Sequence, residues 1–454
     1  MERLLNQIDS GFGTLVSFLA PILFADIGGV PLIVLTLLVG ALTFTFYFGF
    51  INVRGFKHSI EIIKGKYDNP NDIGQISHFQ ALTSALSATI GLGNIAGVAI
   101  AVTLGGPGAV FWMVFIAFFS MSAKFVSATL GLMYRKVNDD GSVSGGPMYY
   151  LTYGFEKKGK LSLLGKALGV MYAVFIIGGA FGGGNMFQAN QSYELFGKLT
   201  GIPNYLYGII LAILVGFVII GGIKRIGETT EKIVPSMVTI YVAASLFIIL
   251  SNINMIPNVI SSIISEAFNP SAAYGGFIGA LVTGIKRGVF SNEAGVGTEA
   301  LIHGAATTTH PAKQGLVAMT GPIFDTLIMC TLTAIVILMS GVEPTADNKG
   351  VLLTAESFQV MLGSIGPLIL FFVVLCFGLS TIFTYSFYGT ACVKFLFGKK
   401  GVPIYQIIFI SAVFGFSVGG FDLAINVVDS AFAMMIFPTL ISTIWLAPKV
   451  VEKA

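Results

Sequence analysis

The sequence predicts an all-α polytopic membrane protein with about eleven transmembrane helices. One is a peripheral N-terminal helix; the other ten form a core of five plus five in inverted repeat, with the first and sixth core helices broken. Three observations lead there. Hydrophobic residues make up 55% of the chain and charged residues only 10%, against about a quarter charged in ordinary soluble domains. Windows such as 33–50, 209–220 and 365–379 carry no charge, and a spanning helix needs about 20 mainly apolar residues. Finally, Asn94-Ile95-Ala96-Gly97-Val98 is echoed by Asn292-Glu293-Ala294-Gly295-Val296, each inside an apolar segment and each preceded by a Gly-rich or Ser-containing break.

Taken in order, residues 1–28, with Gly11, Gly13, Pro21 and Asp26, read as an amphipathic or half-buried outer segment. Spans are expected near residues 40, 90, 120, 178, 213, 242, 288, 327, 379, 411 and 436. A basic stretch fills 52–66, a polar loop 138–160, and short surface helices the outer connections 251–273 and 341–364. Long runs that do not alternate exclude a β-barrel. The boundaries that follow are an outer segment, peripheral helix and basic stretch at 1–66, a first five-helix repeat at 67–252, a second at 253–448 and a tail at 449–454. Five crossings separate the two Asn-x-Ala-Gly-Val copies, so they run in opposite directions, as an inverted repeat requires. Chance likeness between helices rich in small residues is the competing reading of the pair taken alone.

The Lys and Arg residues give the orientation. Of 25, only Arg3, Lys198 and Lys349 fall in one set of loops, and Lys124, Lys286 and Arg287 fall within spans. The rest, among them Lys57, Arg135, Lys224, Lys394, Lys399 and Lys449, lie in the opposite loops and the tail. Those loops are therefore expected in the cytoplasm of a cell-membrane protein, with the N-terminus outside and the C-terminus inside.

Chemistry concentrates at the two breaks. Ile90-Gly91-Leu92-Gly93-Asn94 places two glycines in mid-membrane, where each costs nearly 1 kcal/mol in a helix interior. Unwinding there frees carbonyls for a hard cation such as sodium and N–H groups for a carboxylate. Close helix contact is the other use of such glycines. In the second break, ligand contact is expected from Phe290, Ser291 and Asn292, with scaffold or gate roles for Lys286, Arg287 and Glu293. Gly378-Leu379-Ser380-Thr381 offers adjacent hydroxyls to an ion, although on spacing alone bonding to their own helix carbonyls is the stronger reading. The stretch 178–191, with several glycines and Asn185, Gln188, Asn190 and Gln191, reads as a pocket wall or a tight helix contact. Asp325, Asp422 and Asp429 read as structurally paired carboxylates, with gating or proton carriage as the alternative. Cys330, Cys376 and Cys392 read as small buried hydrophobes. No Walker loop, His-Glu-x-x-His or Gly-x-Ser-x-Gly is present, so nothing points to ATP-driven pumping or catalysis.

Several blocks resemble the alanine or glycine:cation symporter family: Gly105-Gly106-Pro107-Gly108-Ala109-Val110-Phe111-Trp112-Met113, Ser144-Gly145-Gly146-Pro147-Met148-Tyr149-Tyr150, residues 284–297, and Phe324-Asp325-Thr326. Val114 stands where that family usually has a second tryptophan, and Ser120 where it usually has glycine. The family is similar to the amino acid–polyamine–cation superfamily with its LeuT-type fold. Residues 90–94 also resemble the first broken helix of neurotransmitter:sodium symporters. The resemblance implies a substrate carboxylate at the N–H groups of Leu92 and Gly93. It implies sodium at the carbonyls of Ser87 and Ile90, completed by the hydroxyls of Ser380 and Thr381. Asn94 matches a ligand of a second sodium, but Ala88 stands where those proteins have another asparagine. Residues 290–295, Gly295 included, would close the site, with Gly91 and Gln188 lining it and Asn292 meeting the amino group. The implied activity is sodium-coupled uptake of alanine and glycine, with the bilayer as surroundings, no nucleic acid and no obligate protein partner. Proton coupling through Glu293 or Asp325 in the same fold is the alternative.

Overall fold

The computed structural model describes residues 25–69, 71–156, 159, 161–269, 276–345, 347–417 and 421–452, without side chains at 416 and 421–429. The outer segment expected at 1–28 lies outside the described residues up to position 24, as do the side chains of Asp422 and Asp429. Every expected span centre falls on a helix or at the break of a bent pair. A small hairpin, β1 (Asp26–Ile27) and β2 (Val30–Pro31), leads into α1 (Leu32–Tyr47). The first broken helix is α2 (His78–Thr89) and α3 (Ala96–Gly105), bent by 55°. Then come α4 (Gly108–Met133), α5 (Pro147–Gly154), α6 (Leu161–Thr200), α7 (Asn204–Ile219), α8 (Gly222–Ser251) and α9 (Ile256–Ala267). The second broken helix is α10 (Gly276–Asn292) and α11 (Glu299–His303). It is followed by α12 (Pro311–Ser340), α13 (Val351–Leu362), α14 (Ile365–Phe397), α15 (Gly401–Phe416) and α16 (Phe421–Val451).

Among the described residues, α4, α6, α8, α12, α14 and the 430–451 part of α16 are each long and apolar enough to cross a membrane, and α2 with α3 makes a seventh such span. The apolar helices α1, α7 and α15 have 16 residues each, shorter than the roughly 20 that a full crossing takes. The outer connections do hold helices, α9 and α13. The loop expected at 138–160 is not simply polar. A hairpin, β3 (Lys136–Val137) with β4 (Val143–Ser144), precedes α5, whose Met148, Tyr150 and Leu151 are completely buried. Met148-Tyr149-Tyr150-Leu151 is apolar but too short to span, so it fills the bundle from one side.

Helix α4 is the central mast, packed against α1, α9, α10, α11 and α12. Small residues permit this, as is usual where lipid removes any hydrophobic drive between helices. A Cβ on Gly284 of α10 would fall 2.4 Å from the Ala109 carbonyl oxygen, and one on Gly315 of α12 would fall 2.1 Å from Thr129 Oγ1. The Gly-Gly-Pro-Gly block turns the chain between α3 and α4, with Gly106 at φ 65°. Its Trp112 donates from Nε1 to the Ala267 carbonyl at 3.1 Å, tying α4 to α9. The block is scaffold.

Because backbone cannot give way as a flexible side chain can, Gly284→Val is expected to destabilise the protein by about 1–3 kcal/mol. Thermal unfolding in detergent should show a clear drop in Tm. Gly415→Val, where an added Cβ would meet nothing within 4 Å, should leave Tm unchanged.

Candidate functional site

Ser77 starts α2 with a reciprocal cap: its hydroxyl accepts from Gln80 N–H and its own N–H donates to Gln80 Oε1, both at 3.1 Å. The helix stops at Thr89, and Gly91 is extended (φ −122°, ψ −160°) before a single tight turn at Leu92–Asn94. The Asn94 N–H bonds the Gly91 carbonyl at 3.1 Å, which releases the Ile90 carbonyl from helical pairing. Only glycine fits at 91: a Cβ there would lie 2.4 Å from Thr381 Oγ1.

Unwound main chain deep in a membrane protein needs other partners, and neighbouring side chains supply them. Asn94 Oδ1 accepts from Gly91 N–H and Gln188 Oε1 accepts from Leu92 N–H, both at 3.1 Å. Asn94 Nδ2 donates to the Asp325 carbonyl at 2.5 Å. A row of hydroxyls joins α2 to α14. Thr381 Oγ1 donates to the Ser87 carbonyl at 2.9 Å, Ser87 Oγ to the Ser380 carbonyl at 2.6 Å, and Thr384 Oγ1 to the Ser84 carbonyl at 3.2 Å. Ser380 Oγ donates to Phe377 of its own helix at 3.1 Å.

These groups enclose a cavity of about 10 Å³, lined by Ala88, Thr89, Gly91 and Gly93 on the first broken helix, Gly183 and Gln188 on α6, and Phe290, Glu293 and Tyr385. That is about the room one water needs. Phe290 also borders a second cavity of about 40 Å³, shared with Ile33, Leu37, Lys286 and Phe432. Its ring makes edge contacts with Phe187 (5.5 Å) and Phe432 (5.6 Å), and the Arg287 guanidinium lies 5.6 Å from it. Phe290 is thus a plug between two spaces.

The second break is built differently from the first. In the first copy of the repeated motif, Ala96-Gly97-Val98 already belongs to helix; in the second, Ala294-Gly295-Val296 is the break itself. Glu293 sits at φ 56°, with Gly295 and Gly297 at φ 85° and 86°. A left-handed conformation at a glutamate is uncommon and marks a constrained position. Both Glu293 oxygens are held: Tyr385 OH donates to Oε1, and Thr298 Oγ1 donates to Oε2 at 2.5 Å. The Gly295 carbonyl accepts from Thr439 Oγ1 at 2.6 Å.

Of the residues singled out in the sequence, Gly91, Gly93, Gln188 and Phe290 line the cavity. Leu92 and Asn94 shape it through main chain and cap, and Ser87, Ile90, Thr381 and Ser380 meet beside it. Ser291 instead faces Thr326 (3.4 Å) and Cys330 (3.1 Å), and Asn292 Oδ1 accepts from Ala294 N–H at 2.9 Å. Glu293, read as scaffold or gate, lines the cavity, as do Thr89, Gly183 and Tyr385. Of these, Gly183 had a local signal in the glycine run 182–184. Gly183 lies in a wide turn over Gly182–Met186, and Asp325 in another over Ile323–Cys330. Such π-type turns cluster at functional sites.

On the face rich in Lys and Arg, a cavity of about 160 Å³ is bordered by Gln75, Leu301, Ala305, Phe387, Ala391 and Lys394, with residues 142–145 of the hairpin. Arg135, at the end of α4, closes this side. Its guanidinium donates to the carbonyls of Ile73 (2.7 Å), Gly304 (3.3 Å), Ala306 (2.8 Å) and Thr308 (2.7 Å). The approach to α2 is thereby pinned to the segment after α11, and Gln75 and Thr307 N–H groups bond across at 2.8 Å each. The hairpin is latched to α14 by Lys394 Nζ to Ser144 Oγ (3.1 Å) and just beyond it by Lys399 Nζ to Asp140 Oδ2 (2.6 Å). The Lys399 bond, helped by Ser142, holds the Asp140 carboxyl well below the usual carboxylate range, so this latch stays charged at neutral pH.

A helical membrane bundle whose two broken helices close on one small polar cavity, with further space on either side, is a secondary transporter. Comparison with known proteins fixes the family. The chain belongs to the sodium:alanine symporter family, whose model matches residues 16–454, and is an amino acid cation symporter, not an enzyme. It is 41% identical over 427 residues to the sodium/alanine symporter AgcS of Methanococcus maripaludis, covering 93% of each chain. It is 36% identical over 426 residues to the probable sodium/glutamine symporter GlnT of Bacillus subtilis, covering 93% of this chain and 87% of the other. In fold it is similar to MhsT, solved with L-phenylalanine, at TM-score 0.57 and 15% identity over 84% of this chain and 98% of that one. The fold is therefore LeuT-type.

Hydrogen bonds to a charged group contribute about 1.5–3 kcal/mol each. Arg135→Gln is expected to loosen the closure on the basic face. A cysteine introduced at Ala391, with the native cysteines replaced, should react at least about tenfold faster with an impermeant maleimide added on that side.

Proposed function

We propose that this protein takes up alanine, and glycine, by sodium-coupled symport across the cell membrane. Its basic face, with the C-terminus, is cytoplasmic and its N-terminus is outside. The chain segments as a peripheral part at 1–66, repeats at 67–252 and 253–448, and a tail at 449–454. One observation carries the reading: Gly91 and Gly93 of the unwound segment, Gln188 and Glu293 line one small cavity, and the Thr381 hydroxyl bonds the Ser87 carbonyl beside it. The amide oxygen that accepts from Leu92 N–H occupies the place of one substrate carboxylate oxygen. A binding amino acid displaces it, and the carboxylate rests on the N–H groups of Leu92 and Gly93. The substrate amino group then faces Glu293, already oriented by Tyr385 and Thr298. Sodium is coordinated by the carbonyls of Ser87 and Ile90 and the hydroxyls of Thr381 and Ser380, the latter after a rotamer change. The smallness of the cavity, bounded by Phe290 and Tyr385, favours small side chains.

Transport then needs two alternating openings. Phe290 leaves its aromatic cage to admit solutes from outside, and the Arg135 clamp releases to connect the site with the cytoplasmic cavity.

Three outcomes test this. In proteoliposomes, radiolabelled alanine should accumulate when an inward sodium gradient is imposed, and not when a pH gradient replaces it. Strong sodium-free accumulation would assign the coupling to protons. Thr381→Ala should raise the sodium concentration for half-maximal alanine binding by about tenfold, the loss expected for one ligand to a charge; unchanged sodium dependence removes Thr381 from the ion site. Gly93→Val should abolish uptake in folded protein, since even a Cβ would lie 3.3 Å from the Phe290 ring. Normal uptake would refute the unwound seat.

A further inference from the structure

Among the described residues, buried carboxyl groups outnumber buried cations, and their geometry says where the surplus lies. Lys124 of α4, Glu293, Glu299 and Asp325 are each at most 2% exposed. Three buried carboxyl groups thus stand beside two buried cations among the described residues, Lys124 and the Arg287 guanidinium that lies over the Phe290 ring, and an unpaired ion in the interior is costly. Glu293 receives two hydroxyl donors and lines the substrate cavity, so it is built to meet a positively charged amino group. Asp325 takes one bond from Thr326 at 2.6 Å, and its other oxygen faces Lys124 across Gly321. A Cβ on Gly321 would lie 3.9 Å from that oxygen and 3.5 Å from Lys124 Nζ.

Glu299 is left over. Neither of its oxygens has a hydrogen-bond partner in the described structure, and neither does Ser127 Oγ or Tyr150 OH. Ser127, one turn after Lys124 on α4, lies beside Glu299, and Tyr150 of α5 lies beside Ser127. The titratable groups whose charge Glu299 feels, or that feel its charge, are Tyr150, Tyr172 of α6, Tyr388 of α14, Lys124 and Glu293, with His303 coupled in turn to Lys124. Such a pocket satisfies a neutral carboxylic acid far better than a carboxylate. A metal cation there would meet the Lys124 ammonium.

We propose that Glu299 is a proton-binding site, loaded when the protein is open to the outside and emptied into the cytoplasm, so that a proton accompanies sodium and the amino acid. This rests on the symport reading above. The route out is on the page. Glu299 begins α11, whose Leu301 borders the cavity on the basic face. His303, one turn along α11, is bonded through Nδ1 to Gln314 Nε2 at 2.5 Å, and Gln314 bonds His78 in turn. His78 Nε2 lies 3.8 Å from the exposed Asp68. Opening of the Arg135 clamp would hydrate this chain and free the proton from Glu299. The second motif block of the sequence, which supplies Tyr150, thereby gains a role that amino acid binding alone does not give it.

Two measurements on the full-length protein test the proposal. Infrared difference spectra at neutral pH between wild type and Glu299→Gln should show one carboxylic-acid carbonyl band, present only in wild type and independent of alanine. In proteoliposomes holding a pH-sensitive dye, sodium-driven alanine uptake should acidify the interior. That acidification should vanish in Glu299→Gln while sodium-dependent alanine binding persists, and should return in Glu299→Asp. Absence of the band, or a band without acidification in wild type, overturns the proposal. Sodium-driven alanine uptake without proton movement would overturn it and leave the symport reading intact. Absence of any alanine uptake would instead overturn that reading, with the infrared band still deciding whether Glu299 holds a proton. If Glu299→Gln fails to fold, the wild-type acidification and the Asp variant decide.

Discussion

A peptide group that leaves its helix inside a membrane must find another partner, and the protein is organised around meeting that demand at residues 90–94. Three groups at or beside the break have a specific partner: Asn94 for the Gly91 N–H, Gln188 for the Leu92 N–H, Thr381 for the Ser87 carbonyl. Two of those neighbours, Gln188 and Thr381, come from α6 and α14, so the requirement of five residues bears on the positions of two long helices. In the proposed mechanism the same bonds are exchanged for solutes. A side-chain amide or a substrate carboxylate can satisfy the same N–H, and a hydroxyl or an ion can satisfy the same carbonyl.

This also explains why the second break differs from the first. The first brings main chain at Gly91 and Gly93 to the cavity and is capped by side chains. The second presents a side chain, Glu293, and spends left-handed turns at Glu293, Gly295 and Gly297 to aim it. The Ser77 cap and the hydroxyl row along α14 anchor the helix that leads into the first break. Phe290 on one side and the Arg135 clamp on the other are the two places where closure depends on few interactions.

The fold was legible in the sequence because lipid imposes a simple rule, long apolar runs with charges sorted by side. The long helical runs left that trace, and the Gly91–Gly93 pair marked the first break. Shorter elements were less visible. The apolar Met148–Leu151 turn reads as part of a polar loop because its neighbours are polar, and only packing buries it. In the site, Gly91, Gly93, Gln188 and Phe290 could be found from residue type and spacing. Glu293 could be seen but not given a role, since the left-handed turn that points it inward leaves no pattern in one sequence. Tyr385 and Thr89 join the cavity through the crossing of distant helices. Arg135 looks like any other loop arginine until four carbonyls are seen around it.

The most direct measurement is a density map of the protein with alanine and sodium bound. The expected result is an alanine carboxylate on the N–H groups of Leu92 and Gly93, with the Gln188 amide moved off Leu92 and a sodium between Ser87 and Thr381. Alanine elsewhere, with the Gln188–Leu92 bond intact, or residues 90–94 wound into continuous helix, would contradict the account.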